Sequence, residues 1–174
     1  MMFLLKLKGL PLLVKQNPEI SRQRTMLNLK RTTSADPDFI ALVKMLDADL
    51  AIRDGEDHAF YSQFNKIGKI KHVIVAYDND VPVACGAIKE YSSTAMEVKR
   101  MFTTPGYRGK GAAIFILTEL ETWAREMSYT TCLLETGNKQ PEAIALYHKT
   151  GYHIIPNYGQ YAGIENSICF EKKI

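Results

Sequence analysis

The sequence predicts a mixed α/β domain built around one sheet. Seven segments show the alternating or β-branched pattern of strands, and four repeat apolar residues at helical spacing. Their order is strand, two helices, three strands, helix, strand, helix and two strands, an interleaving that places helices on the faces of a sheet. With 174 residues and 46% hydrophobic content, the chain has enough apolar material for one domain with a substantial core.

The first part of the chain predicts one strand and two helices. Met26–Arg31 alternates apolar and polar residues, as a strand does. Asp36 is a favourable N-cap and Pro37 suits the first turn of a helix that ends at Arg53-Asp54-Gly55. A second, short helix is predicted over His58–Ile67. The apolar stripes consist of Phe39, Val43, Leu46 and Leu50 in the first helix and of Phe60, Phe64 and Ile67 in the second.

The remainder predicts most of the sheet and two further helices. Short turns join three strands into an antiparallel meander, and the clearest helix, over residues 110–127, shows one apolar face along four turns. The other predicted elements are a strand, a helix that begins with proline and ends before glycine, and two closing strands. In chain order, the strands are His72–Tyr77, Val81–Tyr91, Ala95–Thr103, Thr131–Glu135, Tyr152–Ile155 and Asn166–Glu171, and the helix is Pro141–Thr150.

Composition and charge argue against several classes of function. The net charge of +3 arises from 22 Lys and Arg against 19 Asp and Glu that are scattered along the chain, so no basic cluster indicates a nucleic-acid partner. No apolar segment approaches the ~20 residues that a membrane span requires. Cys85, Cys132 and Cys169 lie far apart in apolar runs, which favours buried free thiols in a reducing compartment over redox or metal roles.

The first 24 residues differ in character from the rest. MMFLLKLKGLPLLVK is apolar, but Lys6, Lys8, Gly9 and Pro11 interrupt it, unlike the centre of a signal peptide. We therefore expect residues 1–24 to be an N-terminal extension or an artefact of cloning or of start-site choice, with Met26 as the alternative initiator. Residues 25–174 are expected to form the domain.

The segment KRMFTTPGYRGKGAAIFILTELETWA, residues 99–124, joins a strand to the clearest helix through a glycine-rich turn. A helix start leaves about four backbone N–H groups unpaired, and glycine lets a phosphate approach such a backbone closely. The turn 108–113 therefore suits a phosphate or pyrophosphate, and a plain flexible turn with solvated cations is the alternative. A P-loop is excluded because Ala112-Ala113 stands where Lys-Ser/Thr is required, and the glycines do not fit Gly-x-Gly-x-x-Gly.

Two motifs carry a resemblance to a known family. Arg108-x-x-Gly111-x-Ala113 resembles the Arg/Gln-x-x-Gly-x-Gly/Ala signature of the GNAT superfamily of acyl-CoA-dependent N-acetyltransferases. AIALYHKTGY, residues 143–152, is similar to the second family motif, and the element order over residues 26–174 is also that of the family. LLETGNKQPEAIALY and NYGQYAGIENSICFEK resemble a bacterial small-molecule branch. The resemblance implies a GNAT fold, with a mixed, mostly antiparallel sheet of about six to seven strands, splayed central strands and about four flanking helices.

The resemblance also implies acetyl-CoA as co-substrate and assigns the residues that bind it. Pantetheine would pair with the exposed backbone of the splayed strand, where the Met101 amide would stabilise charge that develops on the thioester carbonyl. Gln140 stands where the family often has Asn and would contact pantetheine. The strand positions are Met101, Phe102 and Thr103, and the amides that would hold the pyrophosphate belong to Arg108, Gly109, Lys110, Gly111, Ala112 and Ala113.

Two side chains are expected to move protons. Tyr147 aligns with the family tyrosine that protonates the departing thiolate and would also contact the co-substrate; a ring that only fills the core is the alternative. Glu97 matches the position where histone-acetylating relatives place a general base, and the alternatives are a cross-strand salt bridge with a lysine or a route through waters. Strand alternation predicts that Glu97, Lys99 and Met101 share one face.

The acceptor pocket of this family lies between the first two helices and the loop before the last strand, here roughly residues 47–64 and 157–164. Arg53 is a candidate to bind a carboxylate, and Glu90, Tyr158 and Tyr161 are candidates to bind an amine or a ring, with ordinary surface or packing roles open for each. No metal is expected, because the four histidines, His58, His72, His148 and His153, lack metal-ligand spacing.

The resulting prediction is a cytoplasmic enzyme, monomeric or homodimeric, that transfers acetyl directly from acetyl-CoA to a primary amine of a small molecule, an amino acid or a peptide. The alternative is a non-catalytic acyl-CoA-binding regulatory module with a closed acceptor pocket. A third hypothesis is binding of nucleic acid or a membrane surface through the basic N-terminal residues. We expect neither partner, because that segment has no interleaved aromatic residues.

Overall fold

The computed structural model describes residues 27–63, 66–68 and 70–174. The described chain forms one seven-stranded sheet with four α-helices, as predicted, and its strand order is β1-β2-β3-β4-β5-β7-β6. Neighbouring strands are antiparallel except for β4 and β5. The strands are β1 (Asn28–Thr32), β2 (His72–Asp78), β3 (Val81–Glu90), β4 (Ala95–Thr103), β5 (Thr131–Gly137), β6 (His153–Ile155) and β7 (Ser167–Lys173), and the helices are α1 (Pro37–Asp54), α2 (His58–Ser62), α3 (Ala112–Glu126) and α4 (Pro141–Lys149).

Two hydrophobic cores cover opposite faces of the sheet. Successive residues of a strand point to opposite faces, so Val73 and Val75 of β2 pack against α1, whereas Ile74 of the same strand packs on the side of α3 and α4. The α3 side chains that fill the second core all lie within the helix predicted over residues 110–127 and are Ala112, Ile116, Leu117, Leu120 and Ala124. Cys85, Cys132 and Cys169 are buried free thiols.

The start of α1 follows the prediction closely. The Asp36 side chain accepts hydrogen bonds from the backbone N–H groups of Asp38 at 2.9 Å and Phe39 at 3.3 Å. These bonds satisfy two of the donors that a helix start leaves free. Lys30 of the edge strand β1 also donates a hydrogen bond to Asp36 at 2.8 Å. The capping residue therefore connects the start of α1 to the edge of the sheet.

The central strands β4 and β5 pair only at their beginnings. Their parallel pairing runs from Ala95 opposite Thr131 to Glu97 opposite Leu133. Beyond that point β4 remains paired with β3, and β5 remains paired with β7. The two strands therefore diverge and leave a wedge between them, which is the predicted splay.

A β-bulge in β4 overturns the prediction that Glu97, Lys99 and Met101 share one face. Arg100 adopts φ 59°, and the pairing of β4 with β3 shifts there by one residue. A bulge adds a residue to one strand and so reverses the alternation beyond it. Met101 consequently packs in the core beside α3, next to Gly86 of β3.

Several element boundaries differ from the predicted ones. The second helix ends at Ser62 instead of Ile67, and Ile67 packs from a loop against the α1 core, so its apolar character did not indicate a helix. Helix α3 begins at Ala112 rather than at residue 110, because Gly111 has a left-handed φ of 91°. Met26, Phe64 and the predicted extension 1–24 lie outside the described residues. Among the described residues, none of the helices is long and apolar enough to cross a membrane.

Candidate active site

Two adjoining clefts open at the splay between β4 and β5. The large cleft has a volume of about 500 Å³ and runs from the end of β4 past the glycine turn to α4. The small cleft has a volume of about 100 Å³ and lies between α1, α2, β4, β5 and the loop before β7. The residues that line both clefts are Leu46, Met101, Gln140 and Tyr147. These four residues therefore mark the junction between the clefts.

The glycine turn forms one end of the large cleft. Gly109 and Gly111 have φ angles of 72° and 91°, in the left-handed region that residues with a Cβ rarely adopt. No side chain caps the start of α3, and Gly111, Ala112 and Ala113 line the cleft. The unpaired amides of the first helical turn are thus left for a ligand, and the helix dipole favours an anion.

The two cations of the turn are placed differently. Arg108 lines the large cleft, where its Nε donates to the Thr103 carbonyl oxygen at 3.0 Å and its Nη2 lies 3.4 Å from Asp49 Oδ2. Lys110 is not among the lining residues, and its Nζ lies 4.9 Å from the centre of the Tyr107 ring. The guanidinium of Arg108 is therefore the cation of the turn that faces the cleft.

The end of β4 supplies the other wall of the large cleft. Met101, Phe102 and Thr103 all line it, and β5 no longer pairs with this part of β4. The Phe102 side chain is buried in the α1 core, as expected for a residue that contributes its backbone to the cleft. Thr103 Oγ1 is buried without a hydrogen-bond partner among the described residues. This orphaned hydroxyl suits a ligand with polar groups along β4.

Tyr147 occupies the junction of the two clefts. Its ring packs 5.8 Å from the ring of Tyr152 and 5.7 Å from that of Phe170, and only 5% of the residue is exposed. Burial, and then the charge of Glu135, raises the pKa of Tyr147 well above its ordinary value. The phenol therefore keeps its proton at neutral pH and can act as a proton donor.

Glu97 lies in the wall of the small cleft and is 6% exposed. Its Oε1 accepts hydrogen bonds from Lys99 Nζ and from the Tyr158 hydroxyl, each at 3.2 Å. A lysine salt bridge is therefore formed, but its lysine lies on β4 itself and not on a neighbouring strand, as the sequence alternative had it.

Glu135 is a second carboxylate of the small cleft, and the sequence analysis did not identify it. It lies near the end of β5 and accepts a hydrogen bond from Ser167 Oγ at 2.7 Å. Burial raises the pKa of Glu135 to about 7, close to the pH at which a general base works well. Its position at the end of a strand that borders the splay is the signal that could have identified it.

The four candidate acceptor-binding residues do not assemble in one place. Tyr161 lines the small cleft, with its hydroxyl 3.3 Å from Lys99 Nζ, and Tyr158 contacts Glu97. Arg53 lines the large cleft instead, paired with Asp49 at 3.2 Å and with Glu142. Glu90 is outside both sets of lining residues and accepts a hydrogen bond from the Tyr129 hydroxyl at 2.8 Å.

The small cleft also contains polar residues that the sequence analysis did not select. Asp54 at the end of α1, Tyr61 of α2 and Arg100 of the bulge line it. Burial raises the pKa of Asp54, and the charge of the neighbouring His58 opposes this effect. Within the described part of the chain, no group of three or more His, Cys, Asp or Glu side chains could hold a metal ion.

The splayed sheet, the glycine turn at a helix start and the tyrosine between two clefts are the features that the resemblance to acyl-CoA-dependent N-acetyltransferases implied. The model of the acetyltransferase (GNAT) family matches residues 40–152. The chain belongs to this family and is an acyltransferase.

Relatives and solved structures agree with this assignment. The chain is 36% identical over 102 residues to an IAA acetyltransferase of Azospirillum brasilense, an alignment that covers 58% of this chain and 67% of the relative. It is 29% identical over 147 residues to the uncharacterized N-acetyltransferase YjgM of Escherichia coli, covering 83% and 80%. A Klebsiella pneumoniae structure described as a candidate acyl-CoA N-acyltransferase superposes with a TM-score of 0.72 at 27% identity, covering 86% of this chain and 98% of that one.

Coenzyme complexes occur among proteins of the same fold. The PaiA N-acetyltransferase of Thermoplasma acidophilum, solved with coenzyme A, superposes with a TM-score of 0.65 at 14% identity and covers 86% of this chain and 99% of its own. At this identity the likeness shows a shared fold. Acetyl transfer is the activity that the family and its named members support.

Proposed function

We propose that the protein transfers the acetyl group of acetyl-CoA directly to a primary amine of a small molecule, an amino acid or a peptide. The observation that carries the proposal is the meeting of two clefts at Met101 and Tyr147. The large cleft has a glycine turn for a pyrophosphate, and the small cleft has carboxylates for an amine. Binding both reactants at one junction makes the transfer effectively intramolecular.

We assign the large cleft to the coenzyme. The amides of the turn 108–113 hold the pyrophosphate. Arg108 adds a cation there, and its guanidinium exchanges the contact with Asp49 for one with the phosphate. The backbone of Met101, Phe102 and Thr103 pairs with pantetheine, and Gln140, at the junction of the clefts, contacts the same arm. Two fold relatives were solved with coenzyme A or acetyl-CoA bound, which supports a coenzyme as the ligand.

We assign proton transfer to groups on either side of the junction. As the amine nitrogen attacks the thioester carbonyl, the Met101 amide donates a hydrogen bond to the oxygen that gains negative charge. The Tyr147 hydroxyl then protonates the departing thiolate, because it still holds its proton at neutral pH. The proton that the amine loses passes to the carboxylates of the small cleft, where Glu97 and Glu135 are the two candidates.

The small cleft supports an enzyme over a regulatory coenzyme-binding module. A module of that kind has its acceptor pocket closed, whereas here Glu97, Glu135 and Tyr161 line a cleft that joins the large one. Within the small cleft, Tyr161 together with Lys99 forms the wall that we assign to the acceptor. Arg53 and Glu90 are not assigned to the acceptor, because they lie outside the small cleft.

The proposal is tested by binding and turnover. Calorimetry with acetyl-CoA and with CoA is expected to show one site with micromolar affinity, and no binding at high micromolar concentration would reject the proposal. Thiol release is then measured with a panel of amino acids, polyamines, aminoglycosides and peptides with free N-termini. Release that depends on the amine supports the enzyme, whereas binding without release for every amine supports the regulatory module.

A further inference from the structure

We infer that Glu135 takes the proton from the acceptor amine and that Ser167 and Tyr61 are the positioning residues that hold it for this task. The inference rests on the proposed function and deepens it, because it chooses between the two carboxylates of the small cleft and names the groups that orient the chosen one.

A chain of hydrogen bonds leads to Glu135 from two other elements. Ser167 Oγ at the start of β7 lies 2.7 Å from Glu135 Oε1, and the Tyr61 hydroxyl of α2 lies 3.1 Å from Ser167 Oγ. Serine has one hydroxyl proton, which it donates to the carboxylate, so Tyr61 must be the donor to Ser167. The order of donation is therefore Tyr61 to Ser167 to Glu135.

This series of hydrogen bonds fixes one oxygen of the Glu135 carboxylate and leaves the other oxygen without a donor among the described residues. Within the described residues Ser167 is the one hydrogen-bond donor to Glu135, and it contacts Oε1. Glu135 also lines the small cleft. A carboxylate held at one oxygen has a fixed orientation, and the second oxygen keeps its lone pairs for an incoming N–H group.

Glu97 is less suited to accept the proton. Like Glu135, Glu97 is held at one oxygen, but one of the two donors to its Oε1 is the ammonium of Lys99, and the other is Tyr158. Protonation of Glu97 would also leave the ammonium of Lys99 without its partner in a largely buried place, since the Lys99 side chain is 13% exposed. An unpaired buried charge is costly, so the structure favours Glu97 as the lasting salt-bridge partner of Lys99.

The surroundings of Glu135 leave it able to change charge. Burial raises its pKa to about 7, the hydrogen bond from Ser167 and the charge of Lys99 oppose this rise, and the charges of Glu97 and Asp54 add to it. The other ionisable groups that interact with Glu135 are Tyr61 of α2, Tyr147 of α4, and Tyr161 and Cys169 near and on β7. Because the pKa lies near neutrality, both charge states of Glu135 are accessible during turnover.

The proton balance closes within the two clefts. The amine attacks in its neutral form. As the C–N bond forms, its nitrogen loses one proton to Glu135, and as the C–S bond breaks, the thiolate gains one proton from Tyr147. The proton on Glu135 then replaces the one that Tyr147 has given up, by way of solvent in the cleft. At the end of the cycle both residues have returned to their starting protonation states, and no further reactant is needed.

The test is the pH dependence of kcat/KM for the panel amine that is acetylated most efficiently. Ser167→Ala removes a hydrogen bond to the charged form of Glu135, so its pKa rises and the acid limb of the profile moves to higher pH. A lost hydrogen bond to a charged group corresponds to a displacement of about one pH unit. Tyr61→Phe should move the limb in the same direction but less, and Ser167→Thr, which keeps a hydroxyl, should restore it.

Tyr158→Phe is the matched control, because it removes one hydroxyl from Glu97 instead. We expect its acid limb to stay in place. All variants are measured with the same amine, so a difference in the position of the acid limb reflects a group of the protein and not the pKa of the amine. A limb that moves in Tyr158→Phe and not in Ser167→Ala would identify Glu97 as the proton acceptor and overturn the inference. Equal loss of activity at every pH in Ser167→Ala would also overturn it, because that result indicates a structural role alone.

A second measurement needs no acceptor. The full-length protein labelled with ¹³C-glutamate is titrated by NMR, with Glu135→Gln to assign the signal, and the Glu135 carboxyl is expected to titrate near neutrality and at higher pH in Ser167→Ala. An unchanged titration rejects the hydrogen-bond chain. A wild-type protein that transfers acetyl to no amine rejects the proposed function, and a wild-type protein that is active while the limb of Ser167→Ala stays fixed rejects only this inference.

Discussion

The Tyr147 ring fills the core against Tyr152 and Phe170, while the same residue lines both clefts. The sequence presented a core ring and a proton donor as alternatives, and the position of Tyr147 in the structure is compatible with both at once. Packing fixes the position of the ring, and burial keeps the phenol protonated. A rigid ring is what allows one hydroxyl to be held at the junction.

Replacing Tyr147 by Phe keeps the ring and removes the hydroxyl. We expect kcat to fall by about 10²- to 10⁴-fold, the usual contribution of a general acid, while the affinity for CoA stays within about twofold of wild type. Steady-state kinetics and calorimetry measure the two quantities. Tyr152→Phe is the matched control, because Tyr152 is a buried neighbour outside both clefts, and it should keep full activity. Unchanged kcat in Tyr147→Phe would exclude the residue as the acid.

At the scale of the element, the bulge of β4 determines which side chains of the strand face the small cleft and which face the α3 core. Before Arg100 the side chains of Glu97 and Lys99 face the small cleft, and after it the chain continues with Met101 turned to the α3 core. Gly86 of β3 lies beside the bulge. A Cβ on Gly86 would lie 2.5 Å from Met101 Sδ and 2.6 Å from Ile116 Cγ2, so the absence of a side chain there allows α3 to pack closely.

Gly86→Ala tests this close contact. Because the added methyl group overlaps Met101 and Ile116, we expect the free energy of unfolding to fall by about 1–3 kcal/mol and the CoA dissociation constant to rise as Met101 moves. Urea unfolding and calorimetry measure these effects. Gly106→Ala is the control, since a Cβ on Gly106 would meet nothing within 4 Å. Equal stability of the two variants would show that the packing of Met101 and Ile116 against Gly86 can relax to accommodate a methyl group.

At the scale of the whole molecule, the small cleft should make folding stability depend on pH. Burial raises the pKa of Glu135 from its ordinary value of about 4.5 to about 7 in the folded protein, so between those values the folded state binds a proton that the unfolded state has released. Stability therefore falls as pH rises from about 4.5 to 7, by up to about 3 kcal/mol, and this contribution is constant above that range.

Glu135→Gln should remove this dependence. We expect the difference in unfolding free energy between pH 5 and pH 8 to be smaller in Glu135→Gln than in wild type, as measured by urea unfolding at each pH. Glu165→Gln, at an exposed glutamate, should behave as wild type does. An unchanged pH dependence in Glu135→Gln would mean that the carboxyl group titrates as an ordinary exposed glutamate.

The N-terminal segment is also a question for the whole molecule. All residues that line the two clefts lie between Leu46 and Tyr161, so deletion of residues 1–24 is expected to leave the CoA dissociation constant and the acetyl-transfer rate unchanged. Calorimetry and thiol release test this expectation. Lost CoA binding would place the segment within the domain, and weakened retention on nucleic acid or anionic vesicles would instead support binding through its basic residues.

The sequence by itself determined the class of the fold, most of its elements, and the strand end and glycine turn that line the large cleft. Those features depend on local signals, namely strand alternation, the apolar face of α3, the Asp36 cap and the glycines of the turn, and each can be read within a few residues. The two-motif pattern was enough to indicate the family that the comparisons then showed.

Only the tertiary structure decided how the small cleft is composed. The bulge at Arg100 reversed the face of Met101, and Arg53 and Glu90 lie outside the small cleft. Glu135, Ser167 and Tyr61 come from β5, β7 and α2 and meet only when these elements pack together. The physical reason is that burial and hydrogen bonding between distant segments set the orientation and charge of a side chain, and neither is encoded in its immediate neighbours.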